Sequence, residues 1–402
     1  MNVPRRLYLI TWLADLSLIL LVFAVSRDLA ERDAGLWTMG WVGGGLALVH
    51  TISSVLGGRL SDLFPRRTLI LIGTVTKIGC ALGLVLFRQN FPLYIGFYWI
   101  SSIAAGLIYP SIIAWLSSSN GGDRRPVRDA TRVLMFFCIS WNLGVLSGQL
   151  LGGVTFVLHP GVPILFAIVA AALNCLLIVS TCGEAVAPPP RALEAPVEDE
   201  DVRTLSVAFV RVVWAANVTS AFCVGLVIHL FADLAVWLNV HSDWHGAMLA
   251  LMRVVIVLTY VAMHKLAFWH YRFSANLVAH FSCMGGLLFL CLATTGWGLF
   301  AGLLGLGFFM GFTYFAGLYY ITSGAHDRRK GLASGIHEAT FGLGMTFGAV
   351  AGGFLGVKLG HRAPYAMGMA VVGLSVALQC WIFLRYVAPV SRLVKSRKSV
   401  QE

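Results

Sequence analysis

GVLSGQLLGG at residues 144–153 returns near the other end of the chain as GMTFGAVAGG at 344–353. Four glycines stay in register: Gly144, Gly148, Gly152 and Gly153 against Gly344, Gly348, Gly352 and Gly353. Glycines at every fourth position let two helices approach closely in an apolar medium, so both segments read as helices with one packing task. The repeat extends outward. WLAD at 12–15 matches WAAN at 214–217, LALVH at 46–50 matches LALMR at 249–253, and GLIY at 106–109 matches GFTY at 311–314. The offset stays between 200 and 205, so the chain divides into two related halves.

Composition sets the medium. Of 402 residues, 58% are hydrophobic and 12% charged, where a soluble domain is about 45–50% apolar and about 25% charged. That deficit of charge excludes a soluble enzyme, a disordered chain and a disulfide-stapled secreted domain. A spanning helix takes about 20 mostly apolar residues. Twelve stretches qualify: 7–26, 36–58, 68–88, 93–117, 131–157, 163–182, 205–230, 245–263, 274–294, 297–322, 332–356 and 364–388. Arg5 and Arg6 precede the first run as in a signal peptide, but Asp15 interrupts its middle without a clean cleavage site, so it reads as a span. The polar stretch 183–204, with four prolines and the acidic EDED at 198–201, separates six spans from six. The predicted fold is an all-α integral membrane protein, with a six-helix bundle over 1–182, a linker over 183–204 and a second bundle over 205–402. Internal repeats of this kind mark transporters whose substrate lies at mid-membrane, between two rocking halves.

Charge distribution gives the orientation. With a cytoplasmic N-terminus, twenty-one of the 29 Lys and Arg residues fall on cytoplasmic segments. Five fall on outer loops (Arg27, Arg32, Arg88, Lys358, Arg362) and three inside helices. Both termini and the linker are expected in the cytoplasm, and the net charge of +11 needs no nucleic-acid partner to explain it. Short loops without an organellar signal point to a bacterial inner membrane, and a monomer is expected. The eight cysteines lie in or beside apolar runs without a CxxC pair, as small core residues do. No phosphate loop or HExxH array is present, so neither direct ATP use nor a metal or other cofactor is expected.

GGRLSDLFPRR at 57–67 narrows the class. Gly58, Asp62, Arg66 and Arg67 have the spacing of a loop that resembles the signature of the major facilitator superfamily, with Leu63 where a basic residue is usual and Pro65 where a second glycine is usual. A carboxylate at this place attracts the positive N-terminal end of a neighbouring helix. The resemblance implies that this is the eleventh helix, beginning near Leu332, and that Asp62 latches the halves in one state and releases them in another. The glycines of the fifth span are similar to a motif of facilitator antiporters, with Gln149 in place of the usual proline. The resemblance covers nearly the whole chain, stops short of a subfamily, and implies secondary active transport by alternating access.

An ionisable group in hydrocarbon costs roughly 2.5–3.5 kcal/mol on insertion scales and marks a pathway or its coupling. Two carboxylates lie well inside spans, Asp15 and Glu338, with His50 and Arg253 as basic partners. At 1.5 Å of rise per residue, all four fall roughly 12–17 Å from the cytoplasmic boundary. The resemblance implies that their helices line a central cavity. Arg253 keeps its proton and requires an anion: Asp15, Glu338 or a substrate carboxylate. His50 holds the matching place in the first half, as Asp15 does opposite Asn217. Asp15, Glu338 and His50 are the candidate proton carriers. Substrate contacts are expected from Arg253, His50, Asn217, Tyr314, Trp12 and Asn142, although aromatic side chains on helices also serve as packing. Lys77 and His280, matched on the third and ninth spans, are expected to pair structurally or meet lipid headgroups. The expected activity is proton-coupled secondary transport of a small, anionic organic solute. The alternatives are a proton-coupled efflux antiporter for drugs or cations, and a non-transporting receptor.

Overall fold

The computed structural model describes residues 3–119, 127–181, 200–324 and 330–401; most of the linker, 183–199, lies outside the described residues. Within them, twelve helices are long and apolar enough to cross a membrane. The first half contains α1 (Val3–Glu31), α2 (Leu36–Ser61), α3 (Arg66–Leu86), α4 (Phe91–Ser119), α5 (Val127–Phe156) and α6 (Val162–Val179). In the second half α7 runs over Glu200–Gly225, passes through a π turn at Leu226–Leu230 and ends as Phe231–Trp237. It is followed by α8 (Ser242–Lys265), α9 (Phe273–Leu292), α10 (Gly296–Gly324) and α11 (Lys330–Leu359). The last helix, α12 (Ala363–Ile382), continues through a second π turn at Phe383–Val387 into Ala388–Gln401. Twelve crossings return the chain to the face where α1 starts, here the terminal face; the other is the far face.

Local sequence fixes the joints. Gly360 adopts φ +91°, a left-handed conformation that closes α11 and that side chains resist. Its N–H donates to the Gly356 carbonyl at 2.8 Å. Proline near the start of α6 and of α12 occupies a place where no intrahelical donor is lost.

Burial sorts the helices into two rings. The apolar stretch of α1 is 83% buried inside the protein and that of α12 only 22%. Leu82 on α3, Leu176 on α6, Phe289 on α9 and Leu374 on α12 point outward. In a bilayer such side chains meet lipid and incur no hydration penalty. The described part of the chain is thus an integral, multi-pass membrane protein with its packed core around α1, α4, α7 and α10.

The repeated glycines serve as contact points for bare backbone. On α5, Gly144, Gly148 and Gly152 face α1, where an added Cβ at Gly144 would meet Asp15 Cβ at 2.7 Å. On α11, Gly344, Gly348 and Gly352 face α7 in the same way. The fourth glycine of each set turns to the opposite half. A Cβ at Gly153 would lie 2.7 Å from the Ser242 carbonyl oxygen on α8, and one at Gly353 would lie 2.6 Å from the Leu36 carbonyl oxygen on α2. These contacts close the far face. There Arg27 also donates from Nη1 to the Val240 carbonyl at 3.2 Å. Toward the terminal face, a Cβ at Gly335 of α11 would lie 3.2 Å from Gly58 Cα of α2.

Candidate functional site

Between the halves, at mid-depth, lies a cavity of about 130 Å³ walled by α1, α2, α4, α5, α7, α8, α10 and α11. Most of the wall is carbon: Ile19, Val22, Leu46, Val145, Ile228, Ile256 and Met310, with the rings of Phe137, Trp141 and Phe341. Into this apolar space project Asp15, His50, Tyr109, His229, Arg253, Tyr260, Tyr314 and Glu338. All eight are buried. All eight lie among apolar side chains, and the low dielectric there strengthens each charge interaction among them.

Each carboxylate takes a tyrosine. Tyr109 Oη donates to Asp15 Oδ1 at 2.5 Å, and Tyr314 Oη donates to Glu338 Oε1 at 2.8 Å. The second oxygens differ. Asp15 Oδ2 has no hydrogen-bond partner, whereas Glu338 Oε2 lies 3.7 Å from His50 Nε2. The latter pair joins α2 of one half to α11 of the other. Trp141 meets Tyr314 edge to face at 5.2 Å between ring centroids, another contact across the halves.

Arg253 is different in kind. Its side chain is 2% exposed, its Nε has no hydrogen-bond partner, and no carboxylate oxygen lies within 4 Å of it among the described residues. A buried guanidinium in this condition is strongly disfavoured unless an anion completes it.

The structure brings Asp15, His50, Arg253, Tyr314 and Glu338 to one cavity and leaves Trp12, Asn142 and Asn217 out of its wall. Trp12 Nε1 donates to Ser147 Oγ at 3.4 Å, tying α1 to α5. Asn142 Nδ2 donates to the Cys138 carbonyl at 2.9 Å and to Tyr260 Oη at 3.3 Å, so it reaches the cavity only through that tyrosine. Asn217 Nδ2 donates to Thr340 Oγ1 at 3.1 Å. Around the loop, Asp62 caps the end of α2. Arg66 donates to the Ala114 carbonyl at 3.0 Å and Arg67 to the Ile178 carbonyl at 3.2 Å, both within the first half.

Among the wall residues that escape the sequence reading are Tyr260 and His229. Tyr260 stands seven residues after Arg253, on the same face of α8, and that spacing is a usable signal. His229 lies in the π turn of α7, where the wider turn shifts the helix face and defeats a 3.6-residue count. Of the two matched groups on the third and ninth spans, Lys77 is 1% exposed and its Nζ donates to the Ala14 carbonyl at 2.9 Å. Its counterpart His280 is fully buried, with Nδ1 donating to the Asn276 carbonyl at 2.7 Å. Among the described residues, no group of three or more His, Cys, Asp or Glu is placed to hold a metal ion.

A family model described as Major Facilitator Superfamily matches residues 7–328. Among solved structures, the human organic anion transporter MFSD10 (TETRAN) superposes with a TM-score of 0.70 at 16% identity, over 94% of this chain and 100% of that one. The nucleoside transporter NupG, as a point mutant, superposes with a TM-score of 0.69 at 13% identity, over 95% of this chain and 100% of that one. At such identities the likeness is one of fold. No curated protein sequence matches the chain.

Proposed function

The chain belongs to the major facilitator superfamily, and on that premise we propose that it is a secondary active transporter moving a small organic anion by alternating access, coupled to protons. One observation carries the anion: both membrane carboxylates are engaged by tyrosines, Glu338 also by His50, while buried Arg253 has no ion-pair partner among the described residues. The cavity is small and mostly apolar, which suits a compact monocarboxylate with a hydrocarbon body. The organic anion transporter among the solved structures of this fold is consistent with that class.

The roles follow from position. Arg253 takes the carboxylate, with Tyr314 and His50 beside it. Protons are exchanged at the His50–Glu338 pair or at Asp15, since each is a titratable group inside the barrier. Gly58 carries bare-backbone contact with α11 near the terminal face. Asp62, four residues later, acts on the start of α11 as a releasable latch, while Arg66 and Arg67 hold the loop to its own half. In this reading the terminal face is cytoplasmic, the membrane is a bacterial inner membrane, and the working unit is a monomer.

Purified protein with benzoate as probe tests the reading. A ligand that binds only the folded state raises the melting temperature with the logarithm of its occupancy. Benzoate is expected to stabilise the wild type, more at pH 6 than at pH 8. Arg253→Ala is expected to fold and to lose that response; unchanged benzoate affinity in this variant would sink the anion assignment. The apolar wall favours one competing reading, a proton-coupled exporter of lipophilic cations. It requires stabilisation by tetraphenylphosphonium that survives Arg253→Ala and vanishes in Asp15→Asn.

A further inference from the structure

Lys77 is a buried charge that the reading above leaves idle. Its ammonium, on α3, is held by the Ala14 carbonyl at 2.9 Å, and no Asp or Glu oxygen lies within 4 Å of it among the described residues. One neutral acceptor does not compensate a cation in an apolar interior. The next residue along α1 is Asp15, whose Oδ2 is buried without a hydrogen-bond partner. Lys77 acts on Asp15 electrostatically, and more strongly than Arg253 does.

We propose that Lys77 is the standing counter-ion of Asp15, and that a monoanion taken by Arg253 is therefore balanced by one proton held between His50 and Glu338. The pairing stands by itself; the proton count rests on the anion reading of the cavity. The charges are few. Asp15 and Glu338 are negative, Lys77 and Arg253 positive, so with His50 neutral the empty site is neutral. A bound monoanion leaves one uncompensated negative charge in a low dielectric, and a single proton from water removes it. His50 is the place for that proton. Of the histidines near the cavity, it has a carboxylate oxygen within 4 Å, on Glu338. Tyr109 of α4 also faces its ring, at 6.5 Å between centroids. Across the cavity stand Asp15, Arg253, His229 and Tyr314, and His337 lies next to Glu338 on α11 against the Tyr314 ring. Substrate and proton then cross together without net charge.

Two measurements on the full chain in detergent decide this. The first uses no ligand: melting temperatures of Lys77→Met, Asp15→Asn and the double variant. The double variant is expected to recover at least half of the loss caused by Lys77→Met, because both buried charges are then gone. If Lys77→Met alone does not fold, folding of the double variant supports the pairing. Additive losses, or a double variant that fails while Asp15→Asn folds, overturn it. The second is calorimetry of benzoate binding in two buffers of different ionisation enthalpy, which counts protons taken up. One proton per benzoate is expected for the wild type. None is expected for Asp15→Asn, where the freed Lys77 charge supplies the balance, and one again for the double variant. If the double variant takes up none, Asp15 itself carries the proton and the proposal fails. Absence of benzoate binding in every variant overturns the proton count and the anion reading together, while the melting cycle still judges the pairing.

Discussion

Tyr109 and Tyr314 hold matching places in the two halves, yet they serve carboxylates on unmatched helices. In the first half Tyr109 donates to Asp15 on α1; in the second Tyr314 donates to Glu338 on α11. The second-half counterpart of Asp15 is Asn217, a neutral amide bonded to Thr340. The counterpart of Lys77 is His280, which accepts from Gln379 Nε2 at 2.9 Å in a network that also includes Asn276 and Ser375. At these two matched positions the first half thus carries buried charge and the second neutral hydrogen-bonding groups. What repeats faithfully is the helix pairing through glycine, on α5 against α1 and on α11 against α7. A duplicated scaffold fixes where side chains stand, and leaves open what charge they carry.

The sharpest break between the halves is expected at the glycines. Gly348 abuts the Phe222 carbonyl, which is backbone, whereas Gly148 abuts the Ile19 side chain at 2.9 Å. Gly348→Leu should therefore yield no monodisperse protein in size-exclusion chromatography. Gly148→Ala should fold with a loss of about 1–3 kcal/mol, as overpacked sites do. Next in size is a transplant. Asn217→Asp brings the first half's carboxylate into the second, where a histidine stands in place of the lysine. Chemical denaturation should register a loss of about 3–5 kcal/mol, typical of a buried charge left alone. Adding His280→Lys should recover part of it; no recovery would mean that the two positions are equivalent in sequence only.

The legibility of these features is uneven, for a geometric reason. Depth along a helix follows from residue count, so Asp15, His50, Arg253 and Glu338 could be assigned to one layer from sequence. Rotation about the helix axis does not follow, and that is why Trp12, Asn142 and Asn217 sit at the expected depth with their side chains directed elsewhere. His229 needs the π turn, which no apolar period announces. Lys77 is long enough to reach from an outer-ring helix to the α1 backbone, and position in the ring alone gives no hint of that reach. The spans and the twofold repeat were legible throughout, because apolar length and glycine spacing are local properties.

Smaller tests refine the tyrosine comparison. Tyr109→Phe removes the hydrogen bond that Asp15 Oδ1 accepts, whereas Glu338 keeps His50 nearby after Tyr314→Phe. A hydrogen bond to a charged group contributes about 1.5–3 kcal/mol. Denaturation midpoints should show Tyr109→Phe losing the larger amount; equal losses would mean that His50 contributes nothing to Glu338. The least effect is expected of Thr340→Ala, which deprives Asn217 Nδ2 of its acceptor and should cost about 1 kcal/mol.

The seam between α2 and α11 touches through glycine backbone near both ends, at Gly40 with Gly353 and at Gly58 with Gly335. Interlocked side chains would have to unmesh, one by one, before such helices could shift. Backbone against backbone offers no teeth to disengage and leaves no empty sockets behind. The seam is built like a plain bearing rather than a zipper, so motion of one half over the other meets little resistance there, and the hold on a given state falls to side-chain contacts elsewhere, such as His50 with Glu338 and Arg27 with the Val240 carbonyl.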